Sequence, residues 1–158
     1  MKKETVKPFV DATRKVLQTM AFIVPRVGEP CTWSRDASIG DIVGIVGLSN
    51  EDSTIQGFMS IGFSEPSILQ IVSSMLGEEC TVISEDVRDA VGEISNMISG
   101  QARQSLSSQG IRLQASLPSI VSGHELFMEG TRKEPLYMVR FEVEKGCFEV
   151  AVCIEGLS

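Results

Sequence analysis

Histidine is almost missing from this sequence, cysteine is sparse and aromatic side chains are few: one histidine, four cysteines, and 6% Phe, Trp and Tyr combined. These shortages exclude much familiar chemistry. Cys31, Cys80, Cys147 and Cys153 form no C-x-x-C pair, so neither a zinc ribbon nor a dithiol redox motif is present. They read as reduced thiols, which places the expected compartment in the cytoplasm. His124 has no cysteine or acid at ligand spacing, so no metal site is expected and a surface role is. There is no G-x-S-x-G elbow, no H-E-x-x-H and no cysteine with a histidine in suitable context. Gly44, Gly47 and Gly57 are followed by no lysine, so they are not a phosphate loop and read as bulges or close sheet packing. No apolar run approaches the ~18 residues of a membrane span. The two starting lysines lack an apolar run behind them, so no signal peptide is expected. An excess of positive charge is missing as well. At net −7 and pI near 4.8, bulk electrostatics disfavours nucleic acid and anionic membrane as partners.

What is present is an ordinary globular composition, 42% hydrophobic and 22% charged over 158 residues. That length suits one domain spanning 1–158, with a core that needs no staples. The chain is organised around Ser84 to Gly110, whose spacing predicts a long amphipathic helix. Ser84 suits the N-cap, Glu85 and Asp86 suit the positive end of the dipole, and Gly110 suits the C′ position. Val87, Ala90, Val91, Ile94, Met97, Ile98, Ala102 and Leu106 make one apolar face. Asp89, Glu93, Asn96, Arg103 and Ser107 make the other. Gly92 and Gly100 each stand four residues from Asn96. Helical glycine costs about 1 kcal/mol against alanine. Two readings are open: the glycines admit a neighbouring helix or are tolerated by chance, or they keep the surface shallow so that another molecule can reach Glu93 and Asn96.

The remaining elements follow from periodicity and punctuation. Thr5 to Met20 reads as a helix with Lys7, Asp11, Arg14, Lys15 and Gln18 on its solvated face. Val24 to Ser38 carries Pro25, Gly28 and Pro30 and reads as turn and irregular extended chain, with Trp33 as a packing anchor. Ser38 to Leu48 and Thr54 to Phe63 read as strands, and Ser64 to Leu76 as a helix closed by Gly77. Ile111 to Ser122 is extended and broken by Pro118; Gly123 to Pro135 reads as a loop. Leu136 to Glu144 and Cys147 to Glu155 form a hairpin turned at Lys145-Gly146. Alternation puts Tyr137, Val139, Phe141, Val143, Phe148, Val150, Val152 and Ile154 on one face, and Cys147 and Cys153 on the other as surface or interface thiols. Each half thus has a helix, a proline-containing segment and two strands. The expected fold is a pseudo-twofold α/β (α+β) domain, helices packed on a mostly antiparallel sheet.

The run Gly92-Glu93-Ile94-Ser95-Asn96-Met97-Ile98-Ser99-Gly100 resembles the G-E-x-x-N-M-x-x-G signature of the CheC–CheX–FliY phosphatases of bacterial chemotaxis. Met75-Leu76-Gly77 before it and Pro118-Ser119-Ile120-Val121-Ser122-Gly123 after it agree, so the resemblance covers most of the chain. CheC-type members repeat the E-x-x-N pair on the first helix. Asp11 to Met20 has no such pair, so the sequence is similar to the CheX type, with one site per chain. The resemblance implies a CheC-like fold and a homodimer. It implies a phosphatase acting on the aspartyl phosphate of a CheY-like response regulator. Asn96 would orient the attacking water and Glu93 would pair with the regulator's lysine. Asp89, Gly92, Gly100 and Arg103 would belong to the partner-binding surface. The same resemblance assigns Mg2+ to the regulator and no cofactor to this chain. A non-catalytic docking module for a regulator or flagellar-switch protein is the competing expectation. An enzyme of small metabolites lacks any cofactor motif.

Overall fold

The computed structural model describes residues 1–33, 38–126 and 135–157. Residues 34–37 of the first proline segment and residues 127–134 of the expected loop lie outside the described residues. A 3-10 turn, Lys3–Val6, leads into α1 (Lys7–Ala21); α2 is Glu65–Leu76 and α3 is Glu85–Ser108. The strands are β1 (Arg26–Val27), β2 (Cys31–Thr32), β3 (Gly40–Ser49), β4 (Gln56–Phe63), β5 (Gln114–Ala115), β6 (Ser119–Leu126), β7 (Tyr137–Val143) and β8 (Gly146–Glu155). The expected irregular segment at Val24 to Ser38 therefore holds two short strands. The first four residues of the loop expected from Gly123 are strand instead, because β6 runs on through His124 to Leu126.

Local chemistry accounts for the helix limits. Ser64 Oγ accepts from Ser67 N and Ser84 Oγ from Val87 N, both at 3.4 Å. Each satisfies one of the amide donors that a helix start leaves without a partner. Gly77 ends α2 at φ +69°, and Gly110 follows the end of α3 at φ +87°, where a side chain would be strained.

One antiparallel sheet runs in the order β1-β7-β8-β4-β3-β5, with β2 also on β7 and β6 also on β3. The helices pack on one face of it. There Ile42, Val46, Met59, Ile61, Val139, Phe141, Val150 and Val152 meet Phe9, Val16, Ile68, Val91, Ile94 and Ile98 in one buried core. Phe148 stacks on Phe141, ring centroids 5.0 Å apart. Strand alternation thus buries the hairpin face read from sequence. On the sheet's other face Leu136, Met138, Ala151 and Cys153 form a small second cluster against Trp33 and Phe58. Trp33 anchors packing as expected. Cys153 does not behave as expected: at 3% exposure it is a buried core residue, not a surface thiol.

The two halves are related residue by residue. Arg26–Glu142 and Val27–Phe141 across β1 and β7 are matched by Gln114–Ser49 and Ala115–Leu48 across β5 and β3. Gly28 N donates to Arg140 O, and Ser116 N donates to Gly47 O, at 2.8 and 2.9 Å. Cys31–Met138 and Thr32–Tyr137 are matched by Ser119–Ile45 and Ile120–Gly44. In the central β4–β8 ladder Met59–Val152 maps onto Ile61–Val150, which puts Ser60–Ala151 on the pseudo-twofold axis. Each half lends its proline segment to the other half's third strand. On the helical layer α1 and α3 pack together. Thr13 Oγ1 donates to Phe9 O and Ser95 Oγ donates to Val91 O, both at 2.7 Å and both fully buried.

Candidate functional site

α3 seats on the sheet through small residues. Gly44 of β3 lies under Ser95, and a Cβ on Gly44 would overlap the Ser95 hydroxyl and press on Val91. Because Ser95, Ile94 and Ile98 are buried, the opposite side of the helix is fixed outward by the 3.6-residue period. Asp89, Glu93 and Asn96 are all exposed; Gly92, Gly100 and Arg103 are half-buried. Glu93 and Asn96 are one turn apart, so their Cβ atoms stand roughly 5–6 Å from each other. Among the described residues neither side chain forms a hydrogen bond or ion pair. The predicted site residues therefore do come together on one face. The acid and the amide are free to engage something outside the chain.

Among the described residues a Cβ on Gly92 would meet Ile120 Cδ1 at 3.8 Å and Pro118 Cγ at 3.9 Å, ordinary contacts. A Cβ on Gly100 would meet Arg103 Nη2 at 3.9 Å. No neighbouring helix among the described residues needs that space. β6 and the Pro118 bend flank α3 on this side: Arg88 donates to Ser122 Oγ, while Ile120 and Pro118 border Gly92. At the other end Arg103 Nε donates to Ser99 Oγ at 3.3 Å. Sequence reasoning missed Arg88. Nothing in its local pattern says that a serine thirty-four residues later will hold it.

The pseudo-twofold relation supplies an internal comparison. Matching Thr13 with Ser95 sets Asp11 at the place of Glu93, Arg14 at that of Asn96, Lys7 at that of Asp89 and Val10 at that of Gly92. Pro30 lines a groove with Val10, as Pro118 borders Gly92. On α1 the acid is closed off, since Lys7 Nζ bridges Asp11 Oδ2 at 2.8 Å. A guanidinium stands where α3 has a neutral amide. The backbone frame is shared by both helices, but only α3 carries an open acid with an amide one turn on.

Elsewhere, a cavity of about 870 Å³ lies between α2 and β6, lined by Asp41, Glu65, Glu78, Glu79, His124 and Lys145 among others. Asp41 accepts there from Glu65 N at 2.8 Å and Glu125 N at 3.1 Å, holding the start of α2 to the end of β6. Among the described residues no group of three His, Cys, Asp or Glu is placed to hold a metal ion. No helix among them is long and apolar enough to cross a membrane.

Known proteins share this sequence pattern and fold. The sequence profile of the family described as Chemotaxis phosphatase CheX matches residues 42–142. A chemotaxis protein CheX from Desulfovibrio desulfuricans is 38% identical. That alignment covers 96% of this chain and 99% of that one, with a TM-score of 0.87. The CheY-P phosphatase CheX of Thermotoga maritima is 27% identical over 80% of each chain. A CheX–CheY–BeF3–Mg2+ complex from Borrelia burgdorferi, 22% identical over 97% of this chain and 99% of that one, shares the fold at a TM-score of 0.78.

Proposed function

The chain belongs to the CheX family of chemotaxis phosphatases, and on that premise we propose that it hydrolyses the aspartyl phosphate of a CheY-like response regulator with Asn96 as the catalytic amide. One observation carries the reading: among the described residues the Asn96 side chain stands exposed and unpartnered between two glycines that no packing contact requires. A carboxamide both donates and accepts hydrogen bonds and carries no charge to repel a phosphoryl group. Inserted into the regulator's pocket, Asn96 accepts from a water through Oδ1 and holds it in line with the phosphorus. Water oxygen bonds to phosphorus, the bond from phosphorus to the aspartyl oxygen breaks, and the products are inorganic phosphate and the free carboxylate. This is catalysis by positioning.

Glu93, one turn earlier, pairs with the lysine of the regulator's pocket and sets the angle of approach. Gly92 and Gly100 let the partner backbone come close, and Asp89 and Arg103 border the contact. Mg2+ resides on the regulator and neutralises phosphoryl oxygens there; the metal in the Borrelia burgdorferi CheX–CheY complex supports this assignment. The same complex supports the choice of partner. The whole chain acts as one cytoplasmic domain, and its outer strand edges are covered by pairing into a homodimer.

The test is phosphate release from a phosphorylated CheY-type receiver domain in Mg2+, with the chain present in catalytic amounts. Acceleration over the receiver's own decay is expected from the wild type. Glu93→Ala should raise the receiver concentration for half-maximal rate. An unaltered decay rate at saturating wild-type chain would refute the hydrolase reading.

A further inference from the structure

Two arginines bracket Asn96 on α3, and each is held by a serine hydroxyl and not by an acid. Arg88 donates to Ser122 Oγ of β6, and Arg103 Nε donates to Ser99 Oγ one turn before it. Among the described residues neither has a carboxylate oxygen within 4 Å, whereas Lys7, Arg26 and Arg140 all do. By helical rise their Cα atoms lie about 12 Å before and about 10 Å after Asn96 along the axis, within about 80° of it around the helix. Arg88, Gly92, Asn96 and Gly100 succeed one another at four-residue intervals, so a single ridge runs from one cation across both glycines.

We propose that Arg88 and Arg103 form an electrostatic bracket that docks the acidic rim of a phosphorylated receiver pocket onto Asn96, with Ser122 and Ser99 as positioning residues. This rests on the regulator reading given above. The physical need is evident: a chain of net charge −7 repels an anionic partner unless its negative charge is offset where they meet. Two cations either side of the neutral amide offset the acids Asp89 and Glu93 on the same face, and Glu93 between them reserves one position for a lysine. Each serine takes one of the five donors of a guanidinium, which leaves the others for the partner and costs less to desolvate than a carboxylate pair. Charges at a rim act on encounter and on salt dependence more than on the chemical step.

The experiment measures two quantities for wild type and for the Arg88→Gln/Arg103→Gln variant. One is binding of a beryllofluoride- and Mg2+-loaded CheY-type receiver at several salt concentrations; the other is the rate of dephosphorylation against receiver concentration. Weaker binding and half-saturation raised about three- to ten-fold are expected, with a flattened salt dependence and an unchanged saturated rate. Arg88→Lys/Arg103→Lys should keep most of the salt dependence, because the charge remains. Unchanged affinity and salt dependence in the glutamine variant, or a fall in the saturated rate alone, would overturn the bracket. A wild type that binds the loaded receiver but leaves its decay unaltered would instead refute the hydrolase reading, while the bracket would still stand on the binding data.

Discussion

Ser95 lies over Gly44 with no space for a Cβ between them, so the helix that presents Asn96 rests on bare backbone of β3. Gly44→Ala is therefore expected to push α3 off the sheet, at a cost of about 1–3 kcal/mol. Chemical denaturation would show a lower midpoint at unchanged slope. The displaced helix should also turn over more slowly at saturation, since positioning fails with small misplacements. A variant with wild-type stability would contradict this seating.

Gly92→Ala and Gly100→Ala are expected to act in the opposite sense on stability. Among the described residues each new methyl group meets nothing closer than 3.8 Å, and alanine favours helix over glycine by about 1 kcal/mol. The melting temperature should rise for both variants while affinity for a loaded receiver falls. A gain in stability without loss of affinity would mean that the glycines serve no partner.

These glycines also mark how far the sequence could be read. The apolar period from Val87 to Leu106 and the caps at Ser84, Ser64 and Gly77 are local signals, and each fell within a residue or two of its structural place. Strong alternation from Tyr137 to Ile154 likewise identified the hairpin and its buried side. Strands of two residues, such as Arg26–Val27 and Gln114–Ala115, have no period to detect. Their partners lie in the other half of the chain, so only the assembled sheet reveals the exchange. Cys153 was misplaced because alternation assigns a face, and the cover that Trp33 and Phe58 give that face is tertiary. Glu93 and Asn96 were singled out as candidates through a family signature; the hold of Ser122 on Arg88 depends on β6 and had no local signal.

Asp11 and Arg14 occupy on α1 the places of Glu93 and Asn96, with the acid bound to Lys7. Asp11→Ala and Arg14→Ala are expected to leave dephosphorylation within about two-fold of wild type. Losing so exposed an ion pair should change stability by less than about 0.5 kcal/mol. A large drop in rate for either would mean that α1 also works on the regulator.

Asp52 in the β3–β4 turn offers a check far from the site. Thr54 Oγ1 donates to Asp52 Oδ1 at 2.8 Å and Thr54 N at 3.2 Å, and the hydroxyl bond first, then the amide, holds the carboxyl below its ordinary value. The folded value is lower than the unfolded one, so the turn gains stability at pH above the unfolded value and loses it as pH falls through the folded value. An NMR titration should place Asp52 below a free aspartate, and Thr54→Val should move it upward. An unmoved midpoint in that variant would contradict the assigned cause.

The central claim is that Asn96 supplies the hydrolytic step and little of the docking. Its most direct test is the decay rate of a phosphorylated receiver held at saturating concentrations of wild type or of Asn96→Ala, with affinity for the beryllofluoride-loaded receiver measured in parallel. The account predicts that Asn96→Ala binds within a few-fold of wild type while the receiver decays at its own unassisted rate. Full acceleration by Asn96→Ala would contradict it.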